Sequence, residues 1–306
     1  MFKKKLLSVS MMVALVLILA VPAMAAPLQL DGAGASFPYP IYSKWFDEYL
    51  KVDPSVQINY QSIGSGAGIR QILAKTVDFG ASDSPMTDAE LAEADGEILH
   101  IPMVIGSTAV VYNIPGISSG LKLTGELLAD IYLGKVTMWN DGRIAQLNPD
   151  LKLPKLPIVV VRRSDGSGTT FTFSDYLSSV SSEWAEKVGT GKALKWPVGL
   201  GGKGNEGVAG LVRQLPGAIG YVEQAYAEQN NLSQAAMRNK SGNFVLPSLK
   251  GASLAAAGVE MPADYRVSIV NADGEEAYPI ATFTWLLVYK DAVDEVKGRK
   301  LAEFIW

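Results

Sequence analysis

The sequence has no cysteine and a single histidine, His100, and these two scarcities exclude much chemistry. No disulfide can form, so stability has to come from packing, and no set of Cys and His ligands can build a zinc site. His100 lies in the apolar stretch 98–102, where a histidine is more often a hydrogen-bonded core residue than a catalytic base. Hydrophobic residues make up 48% of the chain and charged residues 19%, which is typical of a globular protein. We therefore expect a packed protein without a metal or cofactor.

The one long hydrophobic run lies at the N-terminus. Three lysines at 3–5 precede the mostly apolar residues 6–21, and the small residues of 22–26 fit an A-x-A cleavage site. This order predicts a secretory signal peptide, residues 1–25, removed after Ala25. The alternative is an uncleaved membrane anchor, for which the run is short. Loss of the three lysines lowers the formal net charge from −4 by three, to −7, and an acidic chain argues against nucleic acid or an anionic membrane as partner.

The rest of the chain alternates between strand and helix patterns, and its length allows two domains of ordinary size. Apolar residues at helical spacing predict an amphipathic helix over 39–52. A strand at 56–60, a glycine-rich turn, a helix at 69–74 and a strand at 77–83 follow it. This is a βαβ unit, which predicts a parallel sheet whose ligand-facing edge lies at the carboxyl ends of the strands.

Further along, the same reasoning predicts additional elements. Thr87 and Glu90 are the ends of a capping box that begins a short helix. The apolar, β-branched run 98–114 predicts a long strand that crosses between two lobes. The remaining predicted elements are helices at 127–133 and from 170 to 180, and strands at 156–161, 218–222 and 283–289.

Three loops combine glycine with hydroxyl residues directly before a helix. They are Gly34-Ala35-Ser36-Phe37, Gly64-Ser65-Gly66-Ala67-Gly68 and Asp165-Gly166-Ser167-Gly168-Thr169. Free backbone N–H groups at a helix start point outward at the positive end of the dipole, so each loop can bind an oxyanion. Serine and threonine hydroxyls would add donors, and Arg163 a guanidinium suited to a tetrahedral oxyanion. For any single loop the plainer interpretation is an ordinary N-cap, but the run 163–169 is denser than a cap needs.

Other motifs of active sites are absent or weak. Neither Ser65 nor Ser167 has the glycine two residues upstream that a nucleophile elbow needs, and no Gly-Lys pair precedes Ser or Thr as in a Walker A loop. Residues 199–204 fit G-x-G-x-x-G, but that motif alone is weak and a dinucleotide enzyme would not normally be exported. A secreted phosphatase with Ser167 as nucleophile, and an exported adhesion or scaffold protein, stay open as alternatives to a binding protein.

Several long strings of the sequence point to one family. They cover residues 32–38, 77–83, 130–135, 162–169 and 199–204, together with 216–222. In these strings the chain resembles the periplasmic phosphate-binding proteins of phosphate-specific ABC transporters, the PstS family. The resemblance implies an α/β Venus-flytrap fold of type II, in which two lobes of mixed sheets flanked by helices close on one phosphate about a hinge of crossover strands. Lobe 1 would comprise residues 28–104 and 273–306, and lobe 2 residues 105–272.

The resemblance also implies ligand contacts in lobe 1. Ser36 stands where the family usually has threonine, which keeps the hydroxyl donor, and Phe37 would contribute its backbone N–H. Ser65 matches the serine of the second loop. Asp83 matches the aspartate that accepts a hydrogen bond from the proton of the ligand.

The third loop would supply the contacts from lobe 2. Arg163 matches the arginine that contacts phosphate, and Asp165 matches the acid that pairs with it. Ser167, Gly168 and Thr169 match the hydroxyl and amide donors of the family. With Asp83 opposite these donors, phosphate would be accepted through its own P–OH group, whereas sulfate, which has no proton, would be repelled.

The function implied by the resemblance is a monomeric periplasmic receptor for inorganic phosphate that delivers it to ABC permease subunits in the inner membrane, without enzymatic activity. A receptor for another tetrahedral oxyanion, such as sulfate or molybdate, is the alternative within the same class. One departure concerns the C-terminus: family members continue past residues 304–306 with a further helix and tail. We expect this difference to affect stability rather than the predicted contacts, all of which lie at or before Thr169.

Overall fold

The structure is a computed structural model that describes residues 26–306, so the predicted signal peptide lies outside the described residues. The strands of the described part are β1 (Leu28–Gly34), β2 (Val56–Ser62), β3 (Phe79–Ser82), β4 (Ile98–Tyr112), β5 (Lys122–Leu123), β6 (Val159–Arg163), β7 (Leu200–Gly202), β8 (Ala218–Glu223), β9 (Ser233–Gln234), β10 (Ala236–Arg238), β11 (Phe244–Val245) and β12 (Ala281–Tyr289).

The helices of the same residues flank these strands. They are α1 (Tyr39–Val52), α2 (Ser65–Leu73), α3 (Asp88–Ala92), α4 (Gly125–Tyr132), α5 (Gly142–Leu147), α6 (Gly168–Val180), α7 (Ser182–Lys187), α8 (Gly204–Gln214), α9 (Gln224–Gln229), α10 (Leu249–Ala257) and α11 (Glu295–Ile305). Among residues 26–306, no helix combines the length and the apolar character that crossing a bilayer requires.

The main sheet is mixed. Its strands follow the order β2-β1-β3-β12-β4-β8-β6-β7, with β9 paired to β4, and a small second sheet has the order β11-β10-β5. Strand β1 pairs in parallel with both β2 and β3, which confirms the predicted βαβ unit. Strand β12 runs antiparallel between β3 and β4. The carboxyl ends of β1, β2 and β3 therefore meet at one edge, where the predicted ligand loops begin.

Strand β4 joins two lobes, as its long apolar run predicts. Its first part, up to Ser107, pairs with β12, and its second part, from Thr108, pairs with β8. The chain crosses back near Ile280, and the Thr108 backbone N–H donates to the Ile280 carbonyl at 2.7 Å. The Tyr278 hydroxyl donates to the Thr108 carbonyl at 3.1 Å, so the two crossings are fastened to each other.

Each lobe has its own hydrophobic core. In the first lobe, α1 and α11 cover one face of the sheet around Leu30 and Phe79, and α2 and α10 pack near Trp285. In the second lobe, α4 and α6 enclose the buried Trp139 and Phe173, and α8 packs on β6 and β8. Two separately packed bodies joined by crossing strands can move relative to each other about those strands.

Helix α10 shares the core of the first lobe. Its residues Ala252 and Ala255 pack in one cluster with Ile69 and Ile72 of α2. In sequence this helix falls within the span that the family resemblance assigns to lobe 2. The lobe borders themselves stay a prediction.

Most predicted elements are present, and the differences concern where they begin and end: β3 and β6, for example, cover Phe79–Ser82 and Val159–Arg163 instead of residues 77–83 and 156–161. Helix α1 has the predicted bounds, whereas α2 begins at Ser65 instead of residue 69 and α6 at Gly168 instead of residue 170. Apolar periodicity starts only after the first turn, because that turn is occupied by small polar residues. The chain uses these first turns as the loops from which the candidate site is built.

Candidate functional site

Asp83 lies at the end of β3, in the cleft between the lobes, and is 1% exposed. Its Oδ1 accepts from the Thr284 hydroxyl at 3.0 Å, and its Oδ2 is 3.5 Å from the Ser65 hydroxyl. Burial raises the pKa of Asp83 to about 7, and the Thr284 hydrogen bond and the Arg163 charge limit the increase. A carboxylate in this setting is an acceptor that still has room for a donor from a ligand.

Ser65 begins α2 and lies directly beside Asp83. Its Oγ accepts from the Asp83 backbone N–H at 3.2 Å and from the Gly168 backbone N–H of the other lobe at 3.0 Å. The Gly66 backbone N–H likewise donates to the Gly166 carbonyl at 3.0 Å. The first turns of α2 and α6 therefore meet across the cleft, and the lobes are closed against each other.

The guanidinium of Arg163 is 3% exposed and is held by Asp165. Nε donates to Asp165 Oδ1 at 2.8 Å and Nη2 to Oδ2 at 2.5 Å, a two-pronged arrangement that fixes the plane of the guanidinium. Burial disfavours the charged form of Asp165, but the hydrogen bonds and charge of Arg163 outweigh this effect and hold the pKa of Asp165 below its usual value. Asp165 also accepts from the Gly204 backbone N–H at 3.1 Å. The pair is locally neutral, so it orients donors without adding net charge.

The first turn of α6 presents the remaining donors from the second lobe. The Ser167 hydroxyl accepts from the Thr170 backbone N–H at 3.0 Å as the helix N-cap, which leaves its proton available. Thr169 Oγ1 lies 3.4 Å from Arg163 Nη1. Ser167, Gly168 and Thr169 are all buried in the cleft.

The loop before α1 closes the cleft from the other side. Ser36 is 1% exposed, and its Oγ accepts from the Asn205 side chain at 2.9 Å and from the Asn205 backbone at 3.2 Å. The Tyr226 hydroxyl donates to the Ser36 carbonyl at 2.6 Å. The neighbouring Phe37 is buried, with its ring in the space that a side chain at Gly106 would occupy. Ser36 and Phe37 thus lie in the same cleft as the other predicted site residues.

Asn205 and Thr284 belong to this cleft but do not emerge from sequence reasoning. Asn205, fully buried at the start of α8, links Ser36 to Thr169 through its amide nitrogen and accepts from the Glu223 backbone N–H. The string 199–204 stops one residue short of it, although a glycine loop before a helix is the same signal used for the other three loops. Thr284 carries no local signal, because it reaches Asp83 from an antiparallel strand two hundred residues away.

His100 lies outside this cleft, as its apolar surroundings predict. It is buried, and its Nε2 accepts from the Met86 backbone N–H at 3.0 Å. Burial, with the nearby Arg266, lowers the pKa of His100 to about 4, so the ring is neutral near pH 7. In residues 26–306 no cluster of three or more His, Cys, Asp or Glu side chains is arranged to hold a metal ion. The arrangement is a closed cage of N–H and O–H donors that also contains the Asp83 carboxylate as an acceptor, which suits a protonated oxyanion.

Fold and site together define a two-lobed solute-binding protein, and comparison with known proteins agrees. The family model described as a PBP superfamily domain matches residues 21–306. The phosphate-binding protein PstS of Pasteurella multocida is 52% identical over 266 residues, which is 86% of this chain and 76% of the relative. The protein of the same name from Haemophilus influenzae is 49% identical over 282 residues, covering 90% of this chain and 83% of the relative.

A solved structure shows the same fold. The high-affinity periplasmic phosphate-binding protein PfluDING, bound with phosphate, superposes with a TM-score of 0.73 at 22% identity, over 90% of this chain and 84% of that one. The chain belongs to the PBP superfamily and, within it, to the PstS family of phosphate-binding proteins.

Proposed function

We propose that this chain is a periplasmic receptor that binds one inorganic phosphate between its lobes and passes it to an ABC permease. The observation that carries the proposal is Asp83, a fully buried acceptor surrounded by hydroxyl and amide donors. Such a site is complementary to an anion that carries a proton. The names of the relatives, which are phosphate-binding proteins, support the same conclusion.

The donors come from both lobes, so the ligand would hold the lobes together. In the first lobe we assign the hydroxyls of Ser36 and Ser65 and the backbone N–H of Phe37. In the second lobe we assign the guanidinium of Arg163, oriented by Asp165, and the hydroxyl and amide groups of Ser167, Gly168 and Thr169. Because Arg163 is already paired, most of the attraction would come from dipoles, which suits a charged ligand that has to be released again.

Selectivity would depend on the proton of the ligand. Both phosphate species present near neutral pH carry at least one P–OH, which can donate to the Asp83 carboxylate. Sulfate carries none, and its oxygens would face the carboxylate in a site from which water is excluded. Arsenate has the same protonation pattern as phosphate, so this device would not exclude it.

We assign no chemical step to the site. Ser167, the one candidate nucleophile, accepts the Thr170 backbone N–H as a helix cap. The only histidine of the sequence, His100, is engaged with Met86 in the core of the first lobe. Neither residue is arranged as the nucleophile and base of a phosphatase would be.

Calorimetric titration of the mature, ligand-stripped chain with phosphate and with sulfate tests the proposal. We expect tight binding of phosphate, negligible binding of sulfate at pH 8, and loss of this discrimination in Asp83→Asn, whose amide can donate as well as accept. The matched control is Asp150→Asn, which removes an exposed carboxylate outside the cleft. Failure of a folded wild-type chain to bind phosphate would refute the proposal.

The pH gives a second test. Since the pKa of Asp83 is raised to about 7, lowering the pH below that value protonates the carboxyl group and turns it into a donor. We expect the affinity for sulfate to rise by up to about tenfold per pH unit as the pH falls from 8 toward 7 and to level off below about pH 6, where Asp83 is protonated, while phosphate remains bound throughout. A sulfate affinity that does not change between pH 8 and pH 5 would contradict the assigned role of Asp83.

A further inference from the structure

An ion pair joins the two lobes outside the phosphate site. Lys192 Nζ lies 2.7 Å from Glu90 Oε1 and 2.9 Å from Glu90 Oε2. Glu90 belongs to α3 of the first lobe, and Lys192 lies in the segment between α7 and β7 of the second. The pair therefore bridges the two lobes.

Both partners are held in place before they meet. The Glu90 carboxylate accepts from the Thr87 backbone N–H at 2.9 Å in the capping box, and α3 is anchored by the buried Met86. The Lys192 carbonyl accepts from the Ser167 backbone N–H at 2.9 Å. Lys192 therefore fastens the α6 loop of the phosphate site with its backbone and reaches the opposite lobe with its side chain.

The pair is also shielded from solvent. The Lys192 side chain is 17% exposed and that of Glu90 25%, whereas the Lys187–Glu183 pair on the surface of the second lobe is 62% and 34% exposed. When side chains have restricted rotamers and little exposure to solvent, they lose less conformational entropy on pairing, and their attraction is screened less by salt, than in a surface pair. The attraction exists only while the lobes are closed, because opening the cleft separates the two charges.

We propose that the Lys192–Glu90 pair is a latch that stabilises the closed form and thereby sets how long phosphate stays bound. This inference rests on the proposed function. Lys192 and Glu90 are positioning residues, since neither belongs to the cage of donors around Asp83. A latch that favours the closed form raises the affinity by increasing the population of the binding-competent state, and it acts on dissociation rather than on encounter.

Glu90→Gln separates the latch from a simple effect of charge. Glutamine retains the capping box, and the substitution removes one negative charge near an anion site. If only the general electrostatic field mattered, Glu90→Gln would bind phosphate more tightly and Lys192→Met more weakly. The latch predicts that both variants bind more weakly, and that the double variant is no weaker than Lys192→Met alone.

The experiment measures release of radiolabelled phosphate during a chase with unlabelled phosphate, together with the association rate. We expect both single variants to release phosphate ~3- to 10-fold faster than the wild type, with association rates within about twofold. The difference in release rate between the variants and the wild type should shrink in about 0.5 M salt, where the screening length is only a few ångströms, because screening weakens the ion pair of the wild type. The matched control is Lys187→Met, which removes the same charge from an ion pair within one lobe.

Unchanged release in Lys192→Met, or tighter binding in Glu90→Gln, would overturn the latch while leaving the proposed function intact. Absence of phosphate binding in the wild type would instead refute the proposed function. In that case small-angle X-ray scattering of the ligand-free proteins still tests the latch. The latch predicts a more open arrangement of the two lobes, and so a larger radius of gyration, in Lys192→Met than in the wild type or Lys187→Met. Equal dimensions would then count against it.

Discussion

At the scale of single residues, the candidate site keeps a group that is unfavourable for the fold. Asp83 is buried with its pKa raised to about 7, so near neutral pH the folded chain holds a partly charged carboxylate away from water. An acid whose pKa is higher in the folded state than its ordinary value of 3.8 loses stability as the pH rises from 3.8 through 7. The selectivity that we propose for Asp83 and the stability of the fold therefore oppose each other at this position.

Asp83→Asn tests this opposition in the ligand-free chain. We expect the variant to be more stable than the wild type at pH 8 by on the order of 2 kcal/mol, because asparagine can keep the Thr284 hydrogen bond without charge, and to gain little at pH 4. Denaturant unfolding at both pH values measures this. Equal stability of the two proteins at pH 8, with Asp150→Asn as the exposed control, would show that the buried charge costs nothing.

His100 behaves in the opposite sense. Because its pKa is lowered to about 4 in the folded chain, the stability associated with the neutral ring is fully present above pH 6.5 and is lost as the pH falls toward 4. We expect His100→Gln, which can still accept from Met86, to reduce the loss of unfolding free energy between pH 6.5 and 4 by roughly 2–3 kcal/mol. Denaturant titrations across this range measure the slope, and an identical slope in both proteins would contradict the assignment.

At the scale of elements, the site depends on how closely helix α2 approaches the sheet. Gly68 lies in this helix, and a Cβ there would be 2.5 Å from the Gly34 Cα and 2.7 Å from the Ala33 carbonyl oxygen. Both of these neighbours are backbone atoms of β1, which cannot shift without moving the strand. The glycine thus sets the distance at which Ser65, three residues earlier, reaches Asp83.

Gly68→Ala should consequently destabilise the chain and weaken phosphate binding. We expect a loss of about 1–3 kcal/mol in unfolding free energy, since the overlap is with backbone rather than a flexible side chain. The control is Gly210→Ala in α8, where a Cβ meets no atom within 4 Å, and which we expect to stabilise by about 0.5–1 kcal/mol. Thermal and denaturant unfolding of both variants measures the contrast, and a neutral Gly68→Ala would show that α2 can move away from β1.

At the scale of the whole molecule, two separately packed lobes meet through polar contacts. Ser65 meets Gly168 and Ser36 meets Asn205 across the cleft, and the fully buried crossing at Thr108 fastens the lobes at one side. An anion that accepts hydrogen bonds from both lobes binds the folded, closed chain and does not bind the unfolded chain. Phosphate should therefore act on the stability of the entire molecule.

Phosphate at a hundred times its dissociation constant should raise the unfolding free energy by about 2.7 kcal/mol. The same concentration should have little effect on a variant whose donors are lost from one lobe, such as Arg163→Met. Thermal unfolding with and without phosphate measures the shift, and sulfate at equal ionic strength is the control. A shift of equal size with sulfate would indicate a general salt effect instead of a site.

The local elements and the chemistry of the loops follow from residues that are neighbours along the chain. Periodic apolar residues specify helix α1 and strand β2, and a continuous apolar run specifies β12. The capping box at Thr87 forms because both partners lie within one turn. Glycine and hydroxyl residues before α2 and α6 specify N-terminal donors for the same reason. These features depend on neighbours along the chain, so they can be read from it directly.

Which groups face one another depends instead on the tertiary fold. Thr284 reaches Asp83 from β12, Asn205 links the two lobes from α8, and Lys192 meets Glu90 across a sequence separation of 102 residues. None of these contacts has a local pattern, because each depends on the order of strands in the sheet and on closure of the lobes. Hydrogen bonds and ion pairs act over a few ångströms, and folding brings distant segments within that range.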